Sequence, residues 1–428
     1  MNIKKFEDGS KFAKAMDNND ILGHFRHRFH LRKDSIYMCG NSLGLLSKDA
    51  EKVVFEILEK WKKEGVKLWT IENSKYLMYS SYLAHLMAPI VGADIDEIVF
   101  GESTTTGIHQ VISTMYKPTK KKYKILVDDL NFPTDRYAVD SQVRLKGLEP
   151  GETVKVVESA DGKFLNEDDL IAAMTDDVAI VFLPTVLYRS AQILDMKKVS
   201  EAAKEKDIIV GWDLCHAVGA IEIDLKSLDV DFAVWCTYKY LNGGPGSNAA
   251  IYINRRHFKL LPGLAGWYGN KKESQFLLRQ EFDHEENANG LQIGSPSLLS
   301  MAPLEGALKM FNEAGMVNIR KKSLHITAYL MFLIETKLYE YGFSVGNPVE
   351  DAKRGGHVCV EHEEAYRISV ALKGRGVVPD FRDPNVLRLA PTALYTSYEE
   401  VYNMIDIILD IVRTKSYENV SVVRNLVV

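Results

Sequence analysis

Between residues 98 and 253 the chain repeats one pattern: a short run rich in Val and Ile, a polar turn, a helical stretch, then another such run. Candidate strands fall at 98–100, 125–128, 154–158, 178–183, 208–212, 232–236 and 249–253. Runs this short and this apolar suit strands buried on both faces, as in a parallel sheet covered by helices. The spacers carry helix signals. Asn166 is placed to cap a helix with Asp168 and Asp169 in its first turn, and Asp195 to cap another that ends near Lys206. The expectation is an α/β domain with a mostly parallel seven-stranded sheet.

The last third reads differently. Ser295 followed by Pro296 looks like an N-cap and first-turn pair, with Gly315 at the far end of that helix. Apolar residues at Ile319, Leu330, Ile334 and Leu338 predict a longer helix that stops before Gly342. A strand over 356–360, a helix over 364–373 and a short strand over 387–390 follow. Ser397 and Glu400 form a capping box for a final helix that turns Val401, Ile405 and Ile408 inward. Near the start, Gly40, Asn41 and Gly44 mark a turn, and Ser47 begins a helix. The expected organisation is an N-terminal arm over 1–48, a large α/β domain over 49–300 and a small α+β domain over 301–428, with the boundary inside the helix after Ser295.

Composition excludes several function classes. Lys and Arg number 53 against 58 Asp and Glu, a formal charge of −5, whereas a nucleic-acid binder normally carries a basic excess. The run Lys120, Lys121, Lys122 reads as a solvated loop before a strand. The four cysteines, at 39, 215, 236 and 359, have no CxxC spacing and suit a reducing compartment. The first twenty residues are polar and lack a signal core. The richest apolar stretch, 178–187, is broken by Pro184 and is too short to cross a bilayer. A soluble cytoplasmic protein is expected, without nucleic-acid or membrane partners. His284, Glu285 and Glu286 stand side by side, no HExxH occurs, and no metal is expected.

Two strand ends carry the chemistry. The run 232–236 leads through Thr237 and Tyr238 to Lys239, and then to Gly243, Gly244 and Gly246. Ligands in α/β folds bind at the carboxyl ends of strands. A desolvated sheet edge lowers an amine's pKa and helps it act as nucleophile and base. A strand-end lysine reaching solvent over a turn is the plain alternative. The second run, 208–212, ends at Asp213, with His216 one helical turn on. A buried acid needs a cationic partner. The ring nitrogen of pyridoxal phosphate is such a partner, and a lysine holds that cofactor's aldehyde as a Schiff base. A phosphate needs a helix N-terminus, and Ser103, Thr104, Thr105 and Thr106 open a helix after the first strand. Phe132 could stack on the pyridine ring and Asp135 could bond a group in the pocket, although a core Phe is the commoner reading for a single phenylalanine.

This layout resembles the fold type I, aspartate-aminotransferase-like pyridoxal enzymes, and the motifs are similar to those of the kynureninase family. The resemblance rests on Cys39-Gly-Asn-Ser-Leu-Gly-Leu, Asn131-Phe-Pro-Thr-Asp, Trp212-Asp-Leu-Cys-His-Ala-Val-Gly, Cys236-Thr-Tyr-Lys-Tyr-Leu-Asn, Gly266-Trp-Tyr-Gly and Arg388-Leu-Ala-Pro-Thr-Ala-Leu-Tyr. It implies a hydrolase that uses pyridoxal 5'-phosphate to cleave the Cβ–Cγ bond of L-kynurenine, or of its 3-hydroxy analogue, to anthranilate or 3-hydroxyanthranilate and L-alanine. It places the enzyme in tryptophan catabolism and NAD biosynthesis by the kynurenine pathway. It also implies a homodimer with active sites at the subunit interface.

By motif match, Lys239 forms the Schiff base, Asp213 pairs with the ring nitrogen and Phe132 stacks on the ring. Thr104, Thr105 and Tyr238 bind the phosphate, with Asp135, His216 and Ser295 in the same pocket, and Tyr238 is the proton courier. Trp267 reaches the phosphate from the other subunit, and Arg388 holds the substrate carboxylate. The family pattern has Asn or Thr where Ser295 stands, and glycine near Ala191. Another fold type I enzyme, a cysteine desulfurase or an aminotransferase, is the alternative. A desulfurase needs a mobile catalytic cysteine in a C-terminal loop, whereas Cys359 lies in a strand-like run.

Overall fold

Each of the seven Val- and Ile-rich runs becomes a strand of one sheet. In the computed structural model, which describes residues 6–421, they are β1 (Ile98–Phe100), β2 (Lys124–Asp128), β3 (Val154–Val157), β4 (Val178–Pro184), β5 (Ile209–Asp213), β6 (Phe232–Trp235) and β7 (Ala250–Ile253). The spatial order is β1-β7-β6-β5-β4-β2-β3. Strands β2 to β6 pair in parallel, and β7 runs antiparallel to both of its neighbours, β6 and β1.

The strands' side chains alternate between two cores, as the period of two requires. Ile98, Leu126, Val181, Ala233 and Trp235 enter the core on one face. Val99, Ile125, Val127, Ile180, Phe182, Phe232 and Val234 enter the core on the other. Burying each such aliphatic side chain stabilises the fold by about 1.5–3 kcal/mol. Gly211 of β5 lies opposite Phe232, and a Cβ there would stand 2.0 Å from the Phe232 ring. The missing side chain lets Phe232 stack on Phe182, ring centres 5.9 Å apart.

The caps read from the sequence are present. Side chains of Ser47, Asn166 and Asp195 accept from backbone N–H groups of the following turn, and Ser397 and Glu400 cap reciprocally. Ser295 and Pro296 depart from expectation: they do not begin the helix. That helix runs Leu298–Ala314 with Ser297 in the N-cap position. The Pro296 carbonyl accepts from the Leu298 N–H at 2.9 Å, so the chain makes a turn at Pro296 before helical geometry starts. Gly315 ends the helix as expected.

The C-terminal unit is a four-stranded antiparallel sheet, Asp380–Arg382, Val386–Leu389, Val358–Glu361 and Ser344–Val345 in that order. Helices Met316–Lys337 and Tyr398–Arg413 cover it, burying Ile326, Leu330, Ile334, Val401, Ile405 and Ile408 in a core of its own. Helix Leu298–Ala314 instead buries Met301, Leu304, Leu308 and Phe311 in the larger core. The N-terminal helix Ser10–Asn18 returns to the C-terminal unit, where Asp17 accepts from the Tyr398 and Glu399 N–H groups at 2.7 and 2.9 Å.

Candidate active site

The carboxyl ends of β1, β2, β4, β5 and β6 open into one cleft of about 710 Å³. In a doubly wound sheet this edge is where loops diverge and a ligand fits. The loop after β1 contributes Glu102 to Thr106, the loop after β2 contributes Asn131, Phe132, Thr134 and Asp135, and the loop after β4 contributes Tyr188. Asp213, Cys215 and His216 follow β5, and Tyr238 and Lys239 follow β6. Arg382 and Arg388 enter from the C-terminal sheet, and Asn41 and Ser42 from the N-terminal turn. That turn is seated directly on the lysine loop. The Gly44 N–H donates to the Tyr238 carbonyl at 2.7 Å, and any Cβ on Gly44 would collide with the Lys239 carbonyl oxygen.

Asp213 ends β5, and Lys239 follows four residues after the end of the adjacent β6 in the sheet's interior. Burial raises the Asp213 pKa, and Lys239 nearby offsets part of that rise. One carboxylate oxygen of Asp213 accepts from the Cys215 N–H at 2.8 Å. Lys239 Nζ lies 3.0 Å from His216 Nε2. The expectation that burial lowers the lysine's pKa is overturned in sum. Desolvation does push it down, but the surrounding Cys236, Cys215 and Asp213 raise it above the ordinary lysine value. His216 is held well below the usual imidazole range, by burial first and then by the charge of Lys239.

Ser103 caps the helix Thr104–Met115 by accepting from the Thr106 N–H at 3.2 Å. This leaves the N–H groups of the first turn and the hydroxyls of Thr104 and Thr105 at the cleft, the donor set an anion requires. Thr105 and Thr134 share a hydrogen bond of 2.7 Å. Phe132 precedes Pro133, the first residue of the helix Pro133–Leu145. Its ring is 46 % exposed and meets Tyr188 edge-on at 5.7 Å. Asp135 lies in the first turn of that helix and accepts from the Asn131 side-chain amide at 2.7 Å. Burial and then Asp213 raise its pKa well above the carboxylate range.

These residues fit pyridoxal phosphate. Asp135 Oδ1 and His216 Nδ1 are buried polar atoms with no protein partner, Phe132 presents a ring to the cleft, and the Asp213 carboxyl, taken out of water, suits a cationic ring nitrogen. At the cleft's far side Arg388 is buried. It pairs with Asp380 through Nη2 and donates from Nη1 to the Tyr188 carbonyl at 2.7 Å. Arg382 also reaches Asp380, at 3.3 Å. Two guanidiniums therefore share one carboxylate, leaving one positive charge for a ligand anion.

Ser295 does not reach this cleft. It is exposed and borders a small separate crevice, while Ser297 and Ser300 face the cleft. Its displacement follows from the later helix start. Trp267 also lies outside the cleft formed by its own chain; its indole N–H donates to the Gln275 carbonyl at 3.0 Å. Sequence reading missed Thr134, Arg382 and Asp380. The last two were within reach of a hairpin argument, because Asp380 faces Arg388 across the antiparallel pair that the turn at Asp383 and Pro384 connects. Cys359 lies within the strand Val358–Glu361, buried and opposite Arg388, and burial raises its thiol to about 12. It is not the mobile loop cysteine that a desulfurase requires.

Comparison with known proteins agrees with this geometry. Residues 319–408 match the family described as the kynureninase C-terminal domain. A kynureninase from Geobacillus thermodenitrificans is 50 % identical over 427 residues, covering 100 % of both chains. One from Bacillus thuringiensis subsp. konkukian is 49 % identical over 413 residues, or 96 % of each chain. Among solved structures, a cysteine desulfurase from Thermococcus onnurineus is similar with a TM-score of 0.78 at 18 % identity, covering 91 % of this chain and 98 % of that one. A C-DES variant with glycine covalently linked to its PLP cofactor has a TM-score of 0.78 at 16 % identity, covering 90 % and 99 %. The likeness to these two structures is one of fold.

Proposed function

The chain belongs to the kynureninase family, and from that membership we propose which of its groups does what in the hydrolysis of L-kynurenine to anthranilate and L-alanine. It is a pyridoxal-phosphate enzyme of fold type I. When bound, the cofactor supplies an electron sink for bonds broken next to the substrate amine.

Lys239 would hold the cofactor, and its amine would carry the proton taken from the substrate Cα. Asp213 holds the ring nitrogen's proton, and Phe132 covers the ring. Thr104, Thr105 and Tyr238 take the phosphate with the first-turn N–H groups, while Asp135 and His216 bond groups on the ring side. The Tyr238 phenol stays protonated at neutral pH, because burial and the neighbouring Cys236 and Cys215 raise its pKa. We assign it the carrying of protons beside Lys239, and general acid–base help of this kind is typically worth about 10²–10⁴ in rate. Arg388 receives the substrate carboxylate, aided by Arg382. A guanidinium presents paired donors to a carboxylate, and the Arg382–Asp380–Arg388 cluster has a net positive charge to satisfy.

The observation that carries this reading is the pairing of Asp213 and Lys239 on adjacent strand ends in one cleft with Arg388. Its test is direct. Purified protein should absorb visible light, borohydride should fix the cofactor on the peptide holding Lys239, and kynurenine alone should yield anthranilate and alanine. Lys239→Ala should lose all three. A product that requires an added amino acceptor would instead identify an aminotransferase, and sulfide release from cysteine a desulfurase. Running the same assay with 3-hydroxykynurenine sets the ring preference and, with it, a catabolic or a biosynthetic role.

We also propose a cytoplasmic homodimer. Trp267 is exposed and lies beside the exposed Phe276, ring centres 5.4 Å apart, which suits a residue that completes the phosphate site of a second copy. Among the described residues no helix is long and apolar enough to cross a membrane. Mixing Lys239→Ala with Trp267→Ala protein tests the shared site. Restored activity supports it, and none opposes it.

A further inference from the structure

Strands β5 and β6 end side by side, and a cysteine follows each. Their parallel register pairs Trp212 with Ala233 and Asp213 with Val234. Two residues past each member of the last pair stand Cys215 and Cys236, outside the strands but still in contact. The pairing persists past the strands, since the Leu214 N–H donates to the Val234 carbonyl at 2.8 Å. The Cys236 N–H points at the Cys215 sulfur, 3.2 Å away, and the Cys236 sulfur lies 3.9 Å from the Cys215 carbonyl oxygen. Both thiols are free.

We propose that Cys215 and Cys236 are a hydroperoxide-sensitive dithiol that closes to a disulfide at the floor of the cleft. Cys215 lines the cleft and Cys236, which does not, adjoins it, so a small oxidant entering on the ligand side passes Cys215 to reach Cys236. Burial raises the Cys236 thiol, but the Cys215 thiol and Lys239 outweigh it and bring Cys236 below the ordinary thiol value. Cys215 is driven well above that value, by its bond to Cys236 first and then by burial. The Cys236 thiolate therefore attacks first. Its sulfur bonds one peroxide oxygen, the O–O bond breaks, and the departing hydroxide with the thiol's proton becomes water. The Cys215 sulfur then attacks the Cys236 sulfenic sulfur, the S–O bond breaks, and a second water leaves with the Cys215 proton. The two thiols together lose two electrons, which the peroxide takes, and a dithiol reductant reverses the change.

The consequence is local to the site. The Cys215 N–H holds the Asp213 carboxylate, and the Cys215 sulfur lies 3.9 Å from the Thr104 hydroxyl. Closing the bond repositions that sulfur and the Cys215 backbone that fixes Asp213. Oxidation should therefore weaken cofactor retention.

The test treats the holoenzyme, and the same protein stripped of cofactor, with hydrogen peroxide. Thiols counted in denaturant should fall from the four of the sequence to two, and dithiothreitol should restore them. Trypsin cuts after Lys206, Lys226 and Lys239, so the disulfide should appear as peptide 207–226 joined to peptide 227–239. A Cys39→Ser, Cys359→Ser double variant should keep the link, and Cys236→Ser should lose it. Should either variant fail to fold, the parent protein's peptide map decides alone. Peroxide that leaves all thiols intact in both forms, or that consumes thiols without joining those two peptides, overturns the proposal.

Discussion

Lys239 Nζ and His216 Nε2 stand 3.0 Å apart at the buried floor of the cleft, and the imidazole is the acceptor. Burial and then the Lys239 charge hold His216 neutral, so its proton sits on Nδ1 and its lone pair faces the lysine. His216→Phe keeps the ring's bulk and removes the acceptor. A hydrogen bond to a charged group is worth about 1.5–3 kcal/mol, so kcat/KM should fall roughly ten- to hundredfold. His216→Gln, whose amide oxygen accepts, should retain more. Steady-state kinetics decide it; a Phe variant at the parent rate would show that the contact does nothing for turnover.

The Asp380–Arg388 pair is the second test. Asp380 is the carboxylate that both Arg388 and Arg382 contact, and both it and Arg388 are buried. Asp380→Asn keeps the shape and leaves a guanidinium without its counter-charge. Removing one partner of a buried pair costs about 3–5 kcal/mol. Urea unfolding should register a loss of that size. Arg388→Lys, which gives up the paired donors, should act mainly through KM, raised about tenfold or more by the loss of one charge-assisted bond.

Ala191 offers a test of backbone strain. It is fully buried with φ at +57°, the left-handed region, which costs a residue with a Cβ roughly 1–2 kcal/mol. Ala191→Gly relieves that cost but frees the unfolded chain by about 0.4–1 kcal/mol. Its stability should stay within about 1 kcal/mol of the parent. Ala191→Val, β-branched where φ is positive, should lose more than about 2 kcal/mol through strain and overpacking. Thermal or urea unfolding of the three proteins separates strain from simple loss of bulk.

The same residue marks a place where sequence left the backbone open. The family pattern of glycine near Ala191 left the local loop shape open, and the structure holds that residue at positive φ. Strand runs such as 98–100 and 178–183 were legible because burial on both faces demands unbroken Val and Ile. Asp213 was legible because it ends such a run, and Lys239 because it follows one closely. Ser295 was misplaced because a Ser-Pro pair satisfies the local rules for a helix start equally well as a turn two residues earlier. Thr134 stayed hidden because its role arises from Thr105 on another element, whereas Asp380 and Arg382 needed only the hairpin to be read. The sign of the Lys239 pKa could not be read either, since Cys215 and Cys236 act on it through space from two different strand ends.

His357 supplies the last prediction. It precedes the strand Val358–Glu361, is fully buried, and lies with Nε2 3.3 Å from the Arg189 carbonyl and Nδ1 3.4 Å from the Tyr240 hydroxyl. The carbonyl can only accept, so Nε2 carries the proton and Nδ1 accepts from Tyr240. Burial, reinforced by Arg388, pushes its pKa down to about 3. An unfolded histidine titrates near pH 6.5, about 1.4 kcal/mol per pH unit of difference. Between those values the unfolded chain binds a proton that the folded chain refuses. This histidine's contribution is therefore complete above about pH 6.5 and drains away as pH falls. From pH 6.5 to 5 the loss should be about 2 kcal/mol by the same linkage. His357→Gln keeps a donor and an acceptor but cannot titrate. Urea unfolding of parent and variant at pH 7 and pH 5 should show the variant less acid-sensitive by about that amount. Contributions from groups distant from His357 are common to both proteins and cancel. Equal acid sensitivity in the two would mean that His357 becomes protonated without cost in the fold, and that its burial between Arg189 and Tyr240 does not hold it neutral.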